Sequence, residues 1–539
     1  MAWLREFEDR RLASLALPPH AKGKRGYVRY RKTATANYYE TLCEVCPQLR
    51  EHGDFALKLT YLLDSGNRRN DGVLGVLKHP VPTPSYLSAD MAGEEERERA
   101  KNGNFPHIRY LEEFADIVKE GSGGAITVKF SDYRAGSHCT YCLYLKVPKS
   151  IKAALRRERD VGIMEPLVEL RTGEPATRKA TRAKSAKEAK AFVEEAEARS
   201  DVPEIARRLL YYLVLTLPLR PFAALLKPDF IKKVEAFIKA TFAGEPASRR
   251  YAIGVCQAML LDPKPLYHTS PKTVRLSPYG LNIAMLQSEV RKYWASLAGW
   301  IELDLSNAQL AINAVRWNVQ SVIETLRDPN YSVWPDLIQH LGGDVADIKA
   351  RGLYERVKDA LKAVVYGLSY GMGKRNLGRF GKEFDADADK HRRVIEEVFG
   401  MKPKEAGRLL LQHPLIAALL EARKGVFERV LSDGGLTDCF GRWIKVEGRT
   451  IDQRKAAARS ALAQAAQAEE MAILAPVIYA AIDEAKKARP LWRIVLWQHD
   501  GFSLWFKEER HRKTVVANLQ QLVAEEAGKR GIPTRLEVS

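Results

Sequence analysis

Cysteine is scarce, with six in 539 residues. That is too few to frame a chain of this length with disulfides, so a disulfide-built extracellular scaffold is excluded. Long apolar runs are missing as well. The most apolar stretch, Leu209 to Leu219, is broken by Pro218 and flanked by Arg207, Arg208 and Arg220, and it is too short to cross a bilayer. The opening residues, Met1-Ala2-Trp3-Leu4-Arg5-Glu6-Phe7-Glu8, carry acids and no apolar core, unlike a secretory leader. These absences imply a cytoplasmic protein with no membrane partner. Acid is in deficit too: 67 Asp and Glu against 86 Lys and Arg leave a formal charge of +19. Such an excess suits a polyanionic partner, although charge spread over a solvated surface would give the same count.

At this length the chain should hold three or four domain-sized units. Residues 1–170 are expected to form a separate α+β module of unassigned function. Helical patterns cover Ala36 to Leu49 and Phe105 to Glu120. Alternating runs at Ile126 to Asp132 and Thr140 to Val147 suggest a hairpin through Arg134-Ala135-Gly136-Ser137. Two Cys-x-x-Cys pairs, Cys43/Cys46 and Cys139/Cys142, could together close a tetrahedral zinc site. They stand 92 residues apart without a Gly- or Pro-rich knuckle, and buried free thiols are the other reading. From 171 to 200 the chain is rich in Ala, Lys, Arg and Glu. Arg178, Lys179, Arg182, Lys184, Lys187 and Lys190 crowd one stretch, as either a helix tracking phosphates or a solvated linker.

Chemistry concentrates further on. Glu302-Leu303-Asp304-Leu305-Ser306-Asn307-Ala308-Gln309-Leu310 reads as a strand that delivers one aspartate and runs directly into a helix. Taken alone, Asp304 could equally be a helix N-cap. Downstream, Val357, Leu361, Val364 and Leu368 form a helical stripe. On the same helix Lys358, Lys362, Tyr366 and Tyr370 follow one another at intervals of four, a slowly winding row. Two cations followed by two rings can hold a triphosphate at one end and stack a base and sugar at the other. Finally, Val495-Leu496-Trp497-Gln498-His499-Asp500-Gly501-Phe502-Ser503-Leu504-Trp505 sets two aromatic-rich apolar runs around a short polar turn. That is a hairpin signal with an aspartate at its tip. Two aspartates from distant strands supply the oxygen ligands that a pair of Mg²⁺ ions takes in phosphoryl-transfer enzymes.

In this order and at these separations, the motifs resemble the family A DNA polymerases. Asp304 matches the first catalytic aspartate, Lys362 and Tyr370 the lysine and tyrosine of the fingers helix, and His499-Asp500 the last motif. Thr273-Val274-Arg275-Leu276-Ser277 is similar to the family's Thr-Gly-Arg-Leu-Ser segment, with Val274 in place of glycine. Thr437-Asp438-Cys439-Phe440-Gly441-Arg442 resembles its Thr-x-x-x-Gly-Arg turn, and Arg459 and Gln467 fall on its helical Arg and Gln. The match covers roughly residues 205–539.

The resemblance implies an α+β right-hand polymerase: a palm with a small antiparallel sheet, helical fingers and a helical thumb. Residues 171–270 would form the basic linker and thumb, 271–314 and 431–539 the two parts of the palm, and 315–430 the fingers. It implies a monomeric DNA-directed DNA polymerase acting on primer-template DNA and dNTPs with two Mg²⁺, or Mn²⁺, ions. Asp304, Asp500 and the Leu305 carbonyl would hold the metals. Lys362, with Asp304 and Asp500, would be catalytic. Lys358, Lys362, Tyr366, Tyr370 and Gln309 would bind nucleotide, and Arg275, Arg442, Gln467 and His499 would bind DNA. No Asp-x-Glu constellation of a proofreading exonuclease is recognisable before residue 205.

Several residues depart from the family pattern. Lys358 replaces an arginine and loses its bidentate fork. Gln309 stands where a glutamate crowds the sugar 2′ position, which opens ribonucleotide use. Gly501 replaces an acid. Tyr366 stands where many members have phenylalanine, and its hydroxyl implies tolerance of dideoxynucleotides. The His-Asp-Gly-Phe run also resembles the single-subunit phage-type RNA polymerases, so a primase-like or RNA polymerase activity is the alternative. A non-catalytic DNA-binding protein on the same scaffold is a third reading.

Overall fold

The computed structural model describes residues 33–35, 42–52, 59, 76–81, 115–130, 141–148, 163–164 and 167–169. Beyond these it describes 177–538 except 271–272, 370, 373, 381–385 and 499. Tyr370, His499 and Cys139, all expected site residues, lie outside the described residues. The chain is α+β, with helices around small antiparallel sheets. It divides into two compact units.

The first unit comprises residues 1–188, 219–266 and 278–298. Its strands are β1 (Thr33–Thr35), β2 (Val76–Val81), β3 (Thr127–Phe130), β4 (Tyr141–Lys146) and β5 (Leu167–Glu169). The expected hairpin exists as the antiparallel β3–β4 pair, and β2 adds to it in the order β2-β4-β3. Pro80 sits in β2, an edge strand, where a missing N–H costs no internal ladder bond. β1 pairs with β5. Helices Pro228–Thr241 and Ser288–Leu297 pack through Phe230 against Trp294, edge to face at 5.2 Å between ring centroids. The basic stretch is a helix, Arg178–Glu197, that passes from this unit into the next.

The zinc site that the two Cys-x-x-Cys pairs would close depends on residues that lie in part outside the described ones. Among the described residues, no group of three or more His, Cys, Asp or Glu is placed to hold a metal ion. Cys43 and Cys46 are both buried and not disulfide-bonded. Burial, then the neighbouring Cys43, pushes the Cys46 thiol above its ordinary value. Cys142 is committed to the ladder, with its backbone in β4 paired opposite Pro80 of β2. The side chain of Cys142, like the whole of Cys139, lies outside the described residues.

The second unit comprises residues 189–218, 267–277 and 299–539. The hairpin of β6 (Leu266–Ser270) and β7 (Thr273–Tyr279) supplies its second segment. The centre is a four-stranded antiparallel sheet of β8 (Ile301–Leu305), β9 (Trp492–Trp497), β10 (Gly501–Phe506) and β11 (Leu536–Val538), ordered β9-β10-β8-β11. Its helices include α1 (Ala308–Arg316), α2 (Tyr354–Ser369), α3 (Pro414–Asp433) and α4 (Ile451–Ile473). The stripe expected on α2 is its buried face: Val357, Leu361, Val364 and Leu368 are all sealed. α4 starts at a reciprocal capping box between Thr450 and Gln453, which satisfies two of the amides a helix start leaves orphaned. Its alanines 458, 461, 465, 468 and 472 are buried, and their small side chains let other elements approach closely. No single helix is long and apolar enough to cross a membrane among the described residues.

Two tyrosines finish the open edge of the sheet. The Tyr212 hydroxyl donates to the Ile494 carbonyl and accepts from the Ile494 amide, at 3.3 and 3.0 Å. The Tyr267 hydroxyl does the same to Trp497, at 3.0 and 2.9 Å. Between these residues β9 slips register against β10. Each phenol thus does the work of one residue of a fifth strand, blocking an edge that would otherwise offer free backbone groups. Replacing either tyrosine with phenylalanine strands two buried backbone groups. A loss of about 1–3 kcal/mol per substitution in denaturant-unfolding stability is expected, and no loss would show that the hydroxyls are incidental.

Candidate active site

The site is built where β8 meets β10. The chain leaves β8 through Asn307, held left-handed at φ 51°, a conformation that asparagine tolerates better than most residues. That bend starts α1 directly after Asp304 and Leu305, the strand-to-helix step expected from sequence. β10 runs antiparallel to β8 with Gly501 directly opposite Asp304. The Leu305 amide donates to the Asp500 carbonyl at 2.9 Å. Residues 196 positions apart in sequence therefore stand one step apart on a single ladder. The hairpin is closed by the Gln498 amide on the Gly501 carbonyl at 2.8 Å. Asp304 and Asp500 are both half-buried, so water and ions can reach them. On the far side of β8, Glu537 of β11 is paired opposite Asp304.

Gly501 is required by this geometry. A Cβ there would overlap both Oδ1 of Asp304 and the Leu303 carbonyl oxygen. A hard cation takes carboxylate oxygens, and the glycine leaves the Asp304 carboxylate the space to face one. The donor chemistry therefore fits Mg²⁺ or Mn²⁺, although the two aspartates are not joined by a third ligating side chain among the described residues.

Behind the aspartates, α4 and β7 meet. Thr273 donates to Gln467 at 2.6 Å and its hydroxyl accepts from the Arg275 amide at 3.2 Å. Three residues along the same helix face, Glu470 ion-pairs with Arg275 and accepts from the Gln309 side-chain amide. Glu470 has no exposed surface and Gln309 almost none. The Glu470 carboxyl is pushed up to about 7: burial raises it most, Arg275 offsets part of that, and the charge of Asp500 adds to the rise. Sequence reasoning missed Glu470, because an acid in an alanine-rich helix more often faces solvent. The expected DNA-binding Arg275 is itself buried and pinned to this carboxylate. Arg442 is held by Asp438, with Nε on Oδ2 at 3.0 Å, and its buried Nη2 has no hydrogen-bond partner.

On α2, Lys358, Lys362 and Tyr366 are half-buried beside the sealed stripe. Lys358 lies 3.3 Å from Glu355, and Lys362 lies 3.9 Å from Asp359. Such exposed pairs cost little to break, so both ammonium groups can turn to a new anion. The end of α2 is set by arginines. Arg423 donates to the Leu368 carbonyl at 2.8 Å, and a Cβ on Gly371 would meet the Arg459 side chain at 2.6 Å.

No protein-family model matches the chain, and no curated protein matches it. Among solved structures it resembles the POL domain of Pol1 from M. smegmatis, solved in complex with a DNA primer-template and dNTP. The two are 16% identical with a TM-score of 0.38, over 90% of this chain and 80% of that one. The functional reading therefore rests on the geometry of the site.

An unstrained Gly→Ala replacement stabilises a fold by about 0.4–1 kcal/mol. Gly501→Ala is expected to have the opposite sign, because both the Asp304 carboxylate and the Leu303 backbone must move. A raised thermal unfolding midpoint in Gly501→Ala would show that Asp304 does not occupy the space above residue 501.

Proposed function

We propose that the chain is a template-directed DNA polymerase that extends a primer 3′ end with dNTPs. In this reading it is a compact relative of the family A enzymes and carries no proofreading activity. The single observation that carries the reading is the β8–β10 register, which brings Asp304 and Asp500 to one end of the two central strands of a small antiparallel sheet. That sheet is the palm, the helices around α2 are the fingers, and the helices before the sheet supply the thumb. Asp304, Asp500 and the Leu305 carbonyl would hold Mg²⁺ or Mn²⁺. Such ions, when bound, lower the pKa of a primer hydroxyl and stabilise the leaving pyrophosphate.

The remaining roles belong to the chain's own side chains. Lys358 and Lys362, about one helical turn apart, offer paired cations to a triphosphate, and Lys362 would protonate the leaving group. Tyr366 lies one turn further along the same helix, and with Tyr370, four residues on in sequence, it would stack a base and sugar. Arg442 and Gln467, with His499 next to Asp500 in sequence, would contact primer and template without reading sequence. Arg275 would act from beneath them through Glu470. The charge of +19 suits a nucleic-acid partner.

A ribonucleotide-tolerant, primase-like activity is the second reading, and one observation favours it. Position 309 carries an amide committed to Glu470, not a free acid facing the nucleotide.

Primer extension on a longer template with Mg²⁺, with dNTPs and NTPs in separate tubes, tests both readings. Extension with dNTPs is expected, falling by at least about a thousandfold in Asp304→Asn and in Asp500→Asn while DNA binding persists. Efficient extension with NTPs alone would favour the primase-like reading. Binding without extension in either tube would leave a non-catalytic DNA-binding protein.

A further inference from the structure

Glu470 joins three elements. Its carboxylate meets Arg275 of β7 and the Gln309 amide of α1, and the charge of Asp500 acts on it from the hairpin. Losing one partner of a fully buried ion pair leaves an uncompensated charge, which is far worse than losing both. The orientation of Gln309 follows from Glu470. The side-chain NH₂ of Gln309 donates to a carboxylate oxygen of Glu470, so it is the amide nitrogen that faces the acid. The Gln309 Oε1 then points elsewhere, and it is buried without a hydrogen-bond partner. A native interior seldom leaves an acceptor in that state.

We infer that Glu470 is a positioning residue for the proposed nucleotidyl transfer, supplying from α4 the buried carboxylate that holds Arg275 and orients Gln309 on the helix that follows Asp304. The inference rests on the polymerase reading. The charge sits on α4, whereas α1, which Asp304 leads into, carries the amide at 309. The two side chains share one hydrogen bond, so acid and amide can be exchanged without changing the number of charges or the volume. After exchange the same bond runs in reverse, from an amide on α4 to a carboxylate on α1, and Arg275 meets the amide oxygen at position 470 with the buried carboxylate one hydrogen bond beyond it.

The test compares wild type, Glu470→Gln, and the transposed pair Gln309→Glu with Glu470→Gln. Each is assayed for primer-template affinity and for single-nucleotide incorporation. Glu470→Gln is expected to bind primer-template as the wild type does while kcat falls on the order of a hundredfold. The transposed pair is expected to recover most of that loss, which a chain damaged merely by repacking would not do. Should Glu470→Gln fail to fold, recovery of both folding and incorporation in the transposed pair supports the inference equally. An unchanged kcat in Glu470→Gln, or a transposed pair no better than the single variant, overturns it. A wild type that extends no primer removes the polymerase reading and the inference together, an outcome distinct from a neutral Glu470→Gln.

Discussion

Everything in the site depends on one backbone register. Because residues paired across an antiparallel ladder share a face, placing Gly501 opposite Asp304 decides where both acids lie. A slip of one residue would put Phe502 or Asp500 against Asp304 and turn the apolar face of β10 out of its core. The register is held by strong devices. Leu303, Phe502 and Leu504 are sealed on these strands, the Leu305 amide is tied to the Asp500 carbonyl, and only glycine fits beneath the Asp304 carboxylate. The same glycine that admits the acid prevents alternatives, since any side chain there meets backbone as well as carboxylate.

Asp304 and Asp500 place two half-buried carboxyl groups at one end of adjacent strands. Asp500 already raises the affinity of Glu470 for a proton. Arg275 compensates within the same buried cluster, and the lysines of α2 carry positive charge in looser pairs. These groups differ in how far they are committed. Arg275 is locked into a buried ion pair, whereas Lys358 and Lys362 hold their acids loosely at the surface. Fixed charge is buried with Glu470, and exchangeable charge lies on the surface of α2.

Local signals carried far in the sequence. The stripe from Val357 to Leu368 and the aromatic hairpin around residues 498–500 are legible because their periods, 3.6 and 2, report burial directly. The step from Asp304 into a helix is legible for the same reason. Long-range pairing is not encoded locally. Nothing in β8 says that its partner lies almost two hundred residues downstream, and only the familiar order of motifs suggested it. The roles of Tyr212 and Tyr267 have no local signal in the sequence, since their hydroxyl contacts to the edge of β9 exist only once the sheet does. β2 escaped notice because Pro80 argues against a strand unless the strand is an edge. Arg275 was legible as an arginine that matters, but not as a buried one. Its partner Glu470 lies 195 residues away.

The most direct measurement is divalent-cation binding to the full chain, followed by titration with Mn²⁺ and its loss of free-ion paramagnetic signal. If Asp304 and Asp500 form one cation site, saturable binding is expected in the wild type. Affinity should then drop in Asp304→Asn and Asp500→Asn alike, with the double variant little worse than either single one. Wild-type binding in both single variants would contradict a shared site, as would additive losses from two independent ones.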